Sequence, residues 1–198
     1  MHTNLIFNPF TRIAGYKALT IGVIGMLIAG YVSFYSHTHF DGVLNIHSGL
    51  AAPIWIHILW PFADVAFLGI WFTLLGIILS QSKIRIVDIF GTQAFAFLPL
   101  VPASLMGFSK SLDRLSEKLM GVDPKAIRLD MFPLNDILMV LIIILITIPL
   151  TVWSGILIYN GFKESANLPH KKVIPVYIAG IFIGMILPKF LIGHFLLN

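Results

Sequence analysis

The chain contains no cysteine, and Asp, Glu, Lys and Arg together make up only 11% of its residues. The first absence excludes a disulfide framework, a thiolate zinc site and a thiol nucleophile. The second excludes an ordinary soluble domain, in which about a quarter of residues are charged. Enzyme signatures are missing as well. There is no His-Glu-x-x-His, no Gly-x-Ser-x-Gly and no phosphate-cradling glycine loop. Lys and Arg are also absent from residues 35–61. What remains is apolar: 58% of residues are hydrophobic and the mean hydropathy is +0.92. A core of this size cannot hide so much apolar surface, so bilayer hydrocarbon must cover it. The net charge of +4 is spread over connections, which suits anionic headgroups and argues against nucleic acid as a partner.

Five apolar runs set the expected architecture: an all-α, polytopic transmembrane bundle forming a single domain over residues 1–198. The spans are expected at about 18–34, 62–80, 88–108, 134–159 and 173–197. Each is long enough to cross about 30 Å of hydrocarbon. Arg12 and Lys17 precede the first run, but no small-x-small cleavage site follows, so it reads as a retained signal-anchor. Its Gly22, Gly25 and Gly30 permit close helix contact. Pro61 divides the second apolar region, because a mid-helix proline removes a hydrogen bond. LAAPIWIHILW before it then reads as a separate interfacial helix, with Trp55 and Trp60 at headgroup level. Pro99 and Pro102 interrupt the third span. Lys189 and His194, near the end of the fifth, are placed to snorkel.

The 109–133 connection is structured. Leu112, Leu115 and Leu119 form one helical stripe, with Asp113, Arg114, Glu117 and Lys118 elsewhere. Asp123 and Pro124 then offer an N-cap and first helical residue. Such an amphipathic connector can lie on lipid or dock on protein. Arg12, Lys17, Lys83, Arg85, Lys163, Lys171 and Lys172 fall on one side of the bilayer, and five basic residues of 109–133 on the other. Together with the basic-free 35–61 stretch, this expects the amino terminus inside.

Chemistry concentrates in HTHFDGVLNIH, residues 37–47. In an extended strand His37, His39 and Asp41 project to one side, and His47 can fold back over an Asp41–Gly42 turn. Nitrogen and oxygen ligands of this kind suit zinc or nickel. Clustered histidines also titrate near neutrality, which is the chemistry of a pH sensor. The plainer reading, a polar external hairpin, is favoured. His57 and Asp64 lie seven residues apart, on one helical face. Asp64 is the ionisable group with a plausible partner and depth, and such groups mark ion or proton pathways. Asp88 and Asn135 or Asp136 read as capping or interfacial residues.

LIFNPFTRIAGYKAL leading into the first span, HFDGVLNIH, and KIRIVDIFGTQAFAFLPLVPASLMG entering the proline-broken third span together resemble the Yip domain family, in its bacterial branch. The resemblance covers nearly the whole chain. It implies five spans with a cytoplasmic amino terminus, in agreement with the charge count, and a link to membrane organisation or trafficking. Eukaryotic members are associated with Rab-type GTPases through a long cytoplasmic amino-terminal region. This chain has only about sixteen residues before the membrane, so GTPase binding is not expected of it. The expected function is a non-catalytic scaffold or accessory subunit of the cytoplasmic (inner) membrane. It would associate with another membrane protein or with itself, and need no cofactor. The alternative is a transporter or metal-handling protein using His37, His39, Asp41 and His47 for zinc, with His57 and Asp64 leading inward.

Overall fold

A computed structural model describes residues 5–49, 51–120, 128 and 131–196. Six α-helices follow one another: α1 Gly15–Ser36, α2 Ile54–Leu79, α3 Ile86–Ala96, α4 Ser111–Met120, α5 Leu134–Ala166 and α6 His170–Leu196. A 3-10 segment, Leu98–Phe108, continues α3. Two short antiparallel strands, β1 Thr38–His39 and β2 His47–Ser48, join α1 to α2. Five segments are long and apolar enough to cross a membrane: α1, α2, α3 with its 3-10 continuation, α5 and α6 up to Phe190. The expected five-span, all-α bundle is therefore present, with α4 as the amphipathic connector before the fourth span.

Two expectations need correction. The expected interfacial helix before Pro61 does not exist as a separate element, because α2 runs unbroken from Ile54 to Leu79 with Pro61 inside it. Pro61 and Trp60 are both buried, so neighbouring helices rather than headgroups surround this turn. A proline is tolerated inside a span when protein packing covers the freed backbone. Span limits also differ. α1 begins three residues before position 18, α5 continues to Ala166 rather than 159, and α6 begins at His170 rather than 173. The Asp123–Pro124 cap lies outside the described residues, as does the side chain of His194.

The break in the third span follows from its prolines. Lacking an N–H, Pro99 and Pro102 cannot continue the α-helical ladder, and the chain tightens to 3-10 bonding. Leu100 N–H turns to Phe97 O at 2.9 Å, which frees Ala96 O. The Ser154 hydroxyl of α5 donates to that carbonyl at 2.7 Å. Ser104 O is taken in the same way by Ser36 Oγ at 2.6 Å and Thr38 Oγ1 at 3.0 Å. In hydrocarbon each unmet carbonyl would cost several kcal/mol, so these hydroxyls fix how α1 and α5 meet the broken span.

Small residues bring α1 against α3, where Gly22 faces the Ala94 backbone and Gly91 faces Gly15 O. Elsewhere the core is made of large side chains. Phe72 of α2 stacks on Phe162 of α5 with ring centroids 4.3 Å apart, both fully buried among Ile89, Leu157 and Val173. The outward faces of α2 and α6 are aliphatic, with Ile78 and Ile186 each about 70% exposed. That is the pattern of lipid-facing surface.

Candidate functional site

The HTHFDGVLNIH stretch is not a solvent-exposed hairpin. Its ends pair as expected, with His39 opposite His47 and Thr38 opposite Ser48. Its tip turns back into the bundle, so that Phe40, Asp41, Gly42 and Val43 are buried. Val43 N–H donates to Gly184 O of α6 at 2.9 Å, and Asn45 N–H closes the turn on Gly42 O at 2.8 Å. A Cβ on Gly42 would stand 2.6 Å from Met185 O, so only glycine allows this backbone-to-backbone approach. Leu44 takes a left-handed φ of +64° and packs toward Gly155 of α5. The segment is thus re-entrant. Irregular backbone at such depth is tolerated only when protein covers it, and α2, α5 and α6 provide that cover.

Asp41 is the latch of this loop. Lys189 Nζ of α6 lies 2.8 Å from its Oδ2, and His47 Nδ1 lies 3.3 Å from its Oδ1. Asn45 Nδ2 donates to the same Oδ1 at 2.7 Å. Burial pushes the Asp41 carboxyl up, but the contacts with His47 and Lys189 outweigh it and hold the group at about 2. Lys189 is therefore an ion-pair partner of the loop.

The histidines separate into two roles. His37 is the left-handed C-cap of α1, with φ of +56°, so it breaks the extended alternation expected of His37, His39 and Asp41. The other three form a column: His39 lies 5.4 Å from His47, nearly parallel to it, and 4.6 Å from His57. The column runs from a part-exposed ring to a buried one. Thr38 O can only accept, so His57 Nδ1 carries the proton in their 3.0 Å contact. Stacked rings do not aim their nitrogens at one point. Among the described residues, no group of three or more His, Asp or Glu has metal-holding geometry.

Asp64 lies two helical turns along α2 from His57 and is buried on the same side. It is nevertheless part of a different constellation. With Gln93 of α3 and Ser154 of α5 it lines a cavity of about 20 Å³, walled by Phe40, Val65, Leu68 and Phe97. The Gly42 N–H faces the carboxyl, and Asp64 Oδ1 has no hydrogen-bond partner. Among the described residues, no cation pairs with Asp64.

A second polar cluster fixes the connector. Arg114 of α4 holds Asp136 at the start of α5, with Nε 3.2 and 3.1 Å from the two carboxylate oxygens and Nη2 in contact with Oδ1. Ser111 Oγ donates to the same carboxylate at 2.9 Å. Asp136 is thus a docking partner and not a helix cap, and the carboxylate raises the Arg114 guanidinium further. Asp88, in the first turn of α3, pairs with Arg85 at 3.6 Å as expected of an interfacial acid.

Sequence reasoning missed Gln93, Ser154 and the pairing of Lys189 with Asp41. Gln93 had a usable signal, being the one amide in the third apolar run. Lys189 and Ser154 had none, since their partners are remote in sequence. Five helices long and apolar enough to cross a membrane make this a multi-pass α-helical membrane protein. No family model, curated protein or solved structure matches the chain.

Proposed function

We propose that this chain is a non-catalytic, Yip-type scaffold or accessory subunit of a bacterial cytoplasmic membrane, with its amino terminus inside. The observation that carries the reading is the state of α5. Only 6% of its most apolar eighteen residues are buried. Leu138, Leu141, Ile142, Leu145 and Ile148 face outward, while the second half of the same helix is locked into the core by Phe162 and Leu157. A helix held rigidly at one end and bare at the other suits association with a membrane partner or a second copy. The long glycine- and proline-shaped contacts elsewhere suit a fixed body over a moving one.

Photo-crosslinking in native membranes tests this. A crosslinker at Leu145 should capture one defined membrane protein, or this chain itself. The same probe at Ile78, equally exposed on α2, should capture lipid only. Equal capture at both positions, or lipid alone at Leu145, would overturn the scaffold reading. Orientation is tested separately in this cysteine-free chain. Ser82→Cys should label from the cytoplasmic face and Ser116→Cys from the opposite one.

A transport or metal-handling role remains the second reading, favoured by the re-entrant loop. The loop lays Asp41 and His47 beside Lys189 and leads toward Asp64. Stoichiometric zinc in natively purified protein, lost in His39→Ala, would support it; native protein without zinc would remove the metal form of it.

A further inference from the structure

A cleft opens where the amino-terminal segment folds against the bundle. Residues 5–8 run along α5. Trp153 Nε1 donates to Ile6 O and Asn160 Nδ2 to Phe7 O, both at 2.8 Å, and Asn8 Nδ2 donates to Glu164 Oε1 at 3.0 Å. With those two carbonyls met, an irregular apolar segment can lie against a span. Phe10 then turns in against Phe95 of α3, with ring centroids 5.7 Å apart, and the chain enters α1 at Gly15. The space left between this segment, α1, α3 and α5 measures about 430 Å³. Ile6, Pro9, Ile13, Phe95, Trp153 and Leu157 wall it. The one polar side-chain atom among these six, Trp153 Nε1, is already spent on Ile6 O.

Arg12 and Lys17 complete the lining. Both are exposed, and among the described residues neither has an ion-pair or side-chain hydrogen-bond partner. The acids at this end of the bundle are engaged elsewhere. Asp88, close to Gly15, pairs with Arg85 at 3.6 Å, Glu164 accepts from Asn8, and neither lines the cleft. The two cations flank the start of α1, where that span begins. Trp153, by contrast, lies thirteen residues before the end of α5 at Ala166, which is about 20 Å of helix. The cleft therefore leads from headgroup level into hydrocarbon.

Shape and charge narrow the occupant. A helix about 10 Å across fills about 400 Å³ per turn, so a partner helix would find room for one turn only. An acyl chain is thinner and carries no backbone polar groups that need partners. A soluble anion would leave the apolar walls uncovered, and a zwitterionic lipid would leave the pair of cations without a net counter-charge. An anionic phospholipid answers both demands. The Arg12 guanidinium matches phosphate oxygens as a fork, Lys17 adds a point charge, and the chains cover the walls.

We propose that this cleft binds one anionic phospholipid, its phosphate held by Arg12 and Lys17 and an acyl chain laid between Phe95 and Trp153. The lipid would pin the amino-terminal segment to α1, α3 and α5. This goes beyond the scaffold reading and is independent of it, because the bare stretch of α5 from Leu138 to Ile148 lies outside the cleft.

The test places the full chain in nanodiscs of phosphatidylcholine doped with phosphatidylglycerol, so that both leaflets carry the same lipids and orientation has no influence. Phosphatidylglycerol brominated along its chains should quench tryptophan fluorescence with a saturable component at low mole fraction. Brominated phosphatidylcholine should quench only in proportion to its amount. The saturable component should vanish in Trp153→Phe. Each cation near a membrane surface is worth about fivefold in affinity, so Arg12→Gln and Lys17→Gln should each weaken binding about fivefold and together about 25-fold. Lys83→Gln, exposed at the same end beside Ser82 and Asn167 but outside the cleft, should change nothing. Inorganic phosphate at constant ionic strength should not compete. Equal quenching by the two lipids would overturn the proposal from the wild-type protein alone, leaving the cleft to unselective lipid or to a protein segment. Displacement by inorganic phosphate, a preference that survives the double variant, or a saturable component that survives Trp153→Phe would overturn it equally.

Discussion

Lys189→Met removes the ammonium that meets Asp41 Oδ2 at 2.8 Å while keeping the length of the side chain. The structure sets the size of the effect. The Asp41 carboxyl is held at about 2 against an ordinary 3.8, a difference worth about 2 kcal/mol at neutral pH. Lys189 shares this with His47, and its side chain is 55% exposed, so solvent screening reduces its part to about 1 kcal/mol. The sign is that of a depressed carboxyl. The stabilisation is fully present above pH 3.8 and is lost as pH falls through about 2. Equilibrium unfolding in detergent, followed by the fluorescence of the four tryptophans, should therefore weaken steadily between pH 4 and pH 2. In Lys189→Met the decline should be shallower, because the native carboxyl has moved back toward 3.8. A double-mutant cycle with Asp41→Asn isolates the pair and should return a coupling of about 1 kcal/mol. Coupling below about 0.3 kcal/mol, with unchanged acid sensitivity, would refute the claim that this contact latches the loop.

Three further outcomes are expected. Gly42→Ala places a methyl 2.6 Å from Met185 O and should destabilise by about 2 kcal/mol or more, with new protease cleavage between residues 40 and 46; a protected loop would show that the backbone approach is looser than described. Phe162→Ala, which empties half of the Phe72 stack, should cost about 3–5 kcal/mol in the same unfolding assay, and a loss under 1 kcal/mol would contradict a packed core there. Arg114→Gln frees the Asp136 carboxylate and should speed amide exchange through α4 about tenfold while leaving α2 unchanged. Uniform exchange in both helices would mean that α4 is not docked through this pair.

The membrane-spanning runs were legible because lipid imposes a local requirement: each run must be long and apolar on its own. The connector α4 was legible for the same reason, its Leu112, Leu115 and Leu119 stripe being a property of ten consecutive residues. Pro61 misled because a proline reports only what the backbone loses. Whether the helix continues depends on neighbours such as those burying Trp60, and the aromatic pair Trp55 and Trp60 looks the same at a headgroup as in a core. The pairing of His39 with His47 could be read from spacing. The descent of the loop between them could not, since it depends on Gly184 and Lys189, far along the chain. Cavity residues Gln93 and Ser154 share that difficulty. A serine inside an apolar helix has many uses, and only the prolines of another span, by freeing Ala96 O, give this one its task.

The route of residues 40–46 also constrains how the molecule is made. The loop leaves the ribosome early, yet the acceptor for Val43 N–H and the cation for Asp41 both belong to α6. Until that helix has been inserted, the tip has no dry resting place and must wait in water or beside a chaperone. Assembly is therefore gated by a late synthetic event. An insertion intermediate stalled before α6 should expose an early epitope that the finished protein conceals.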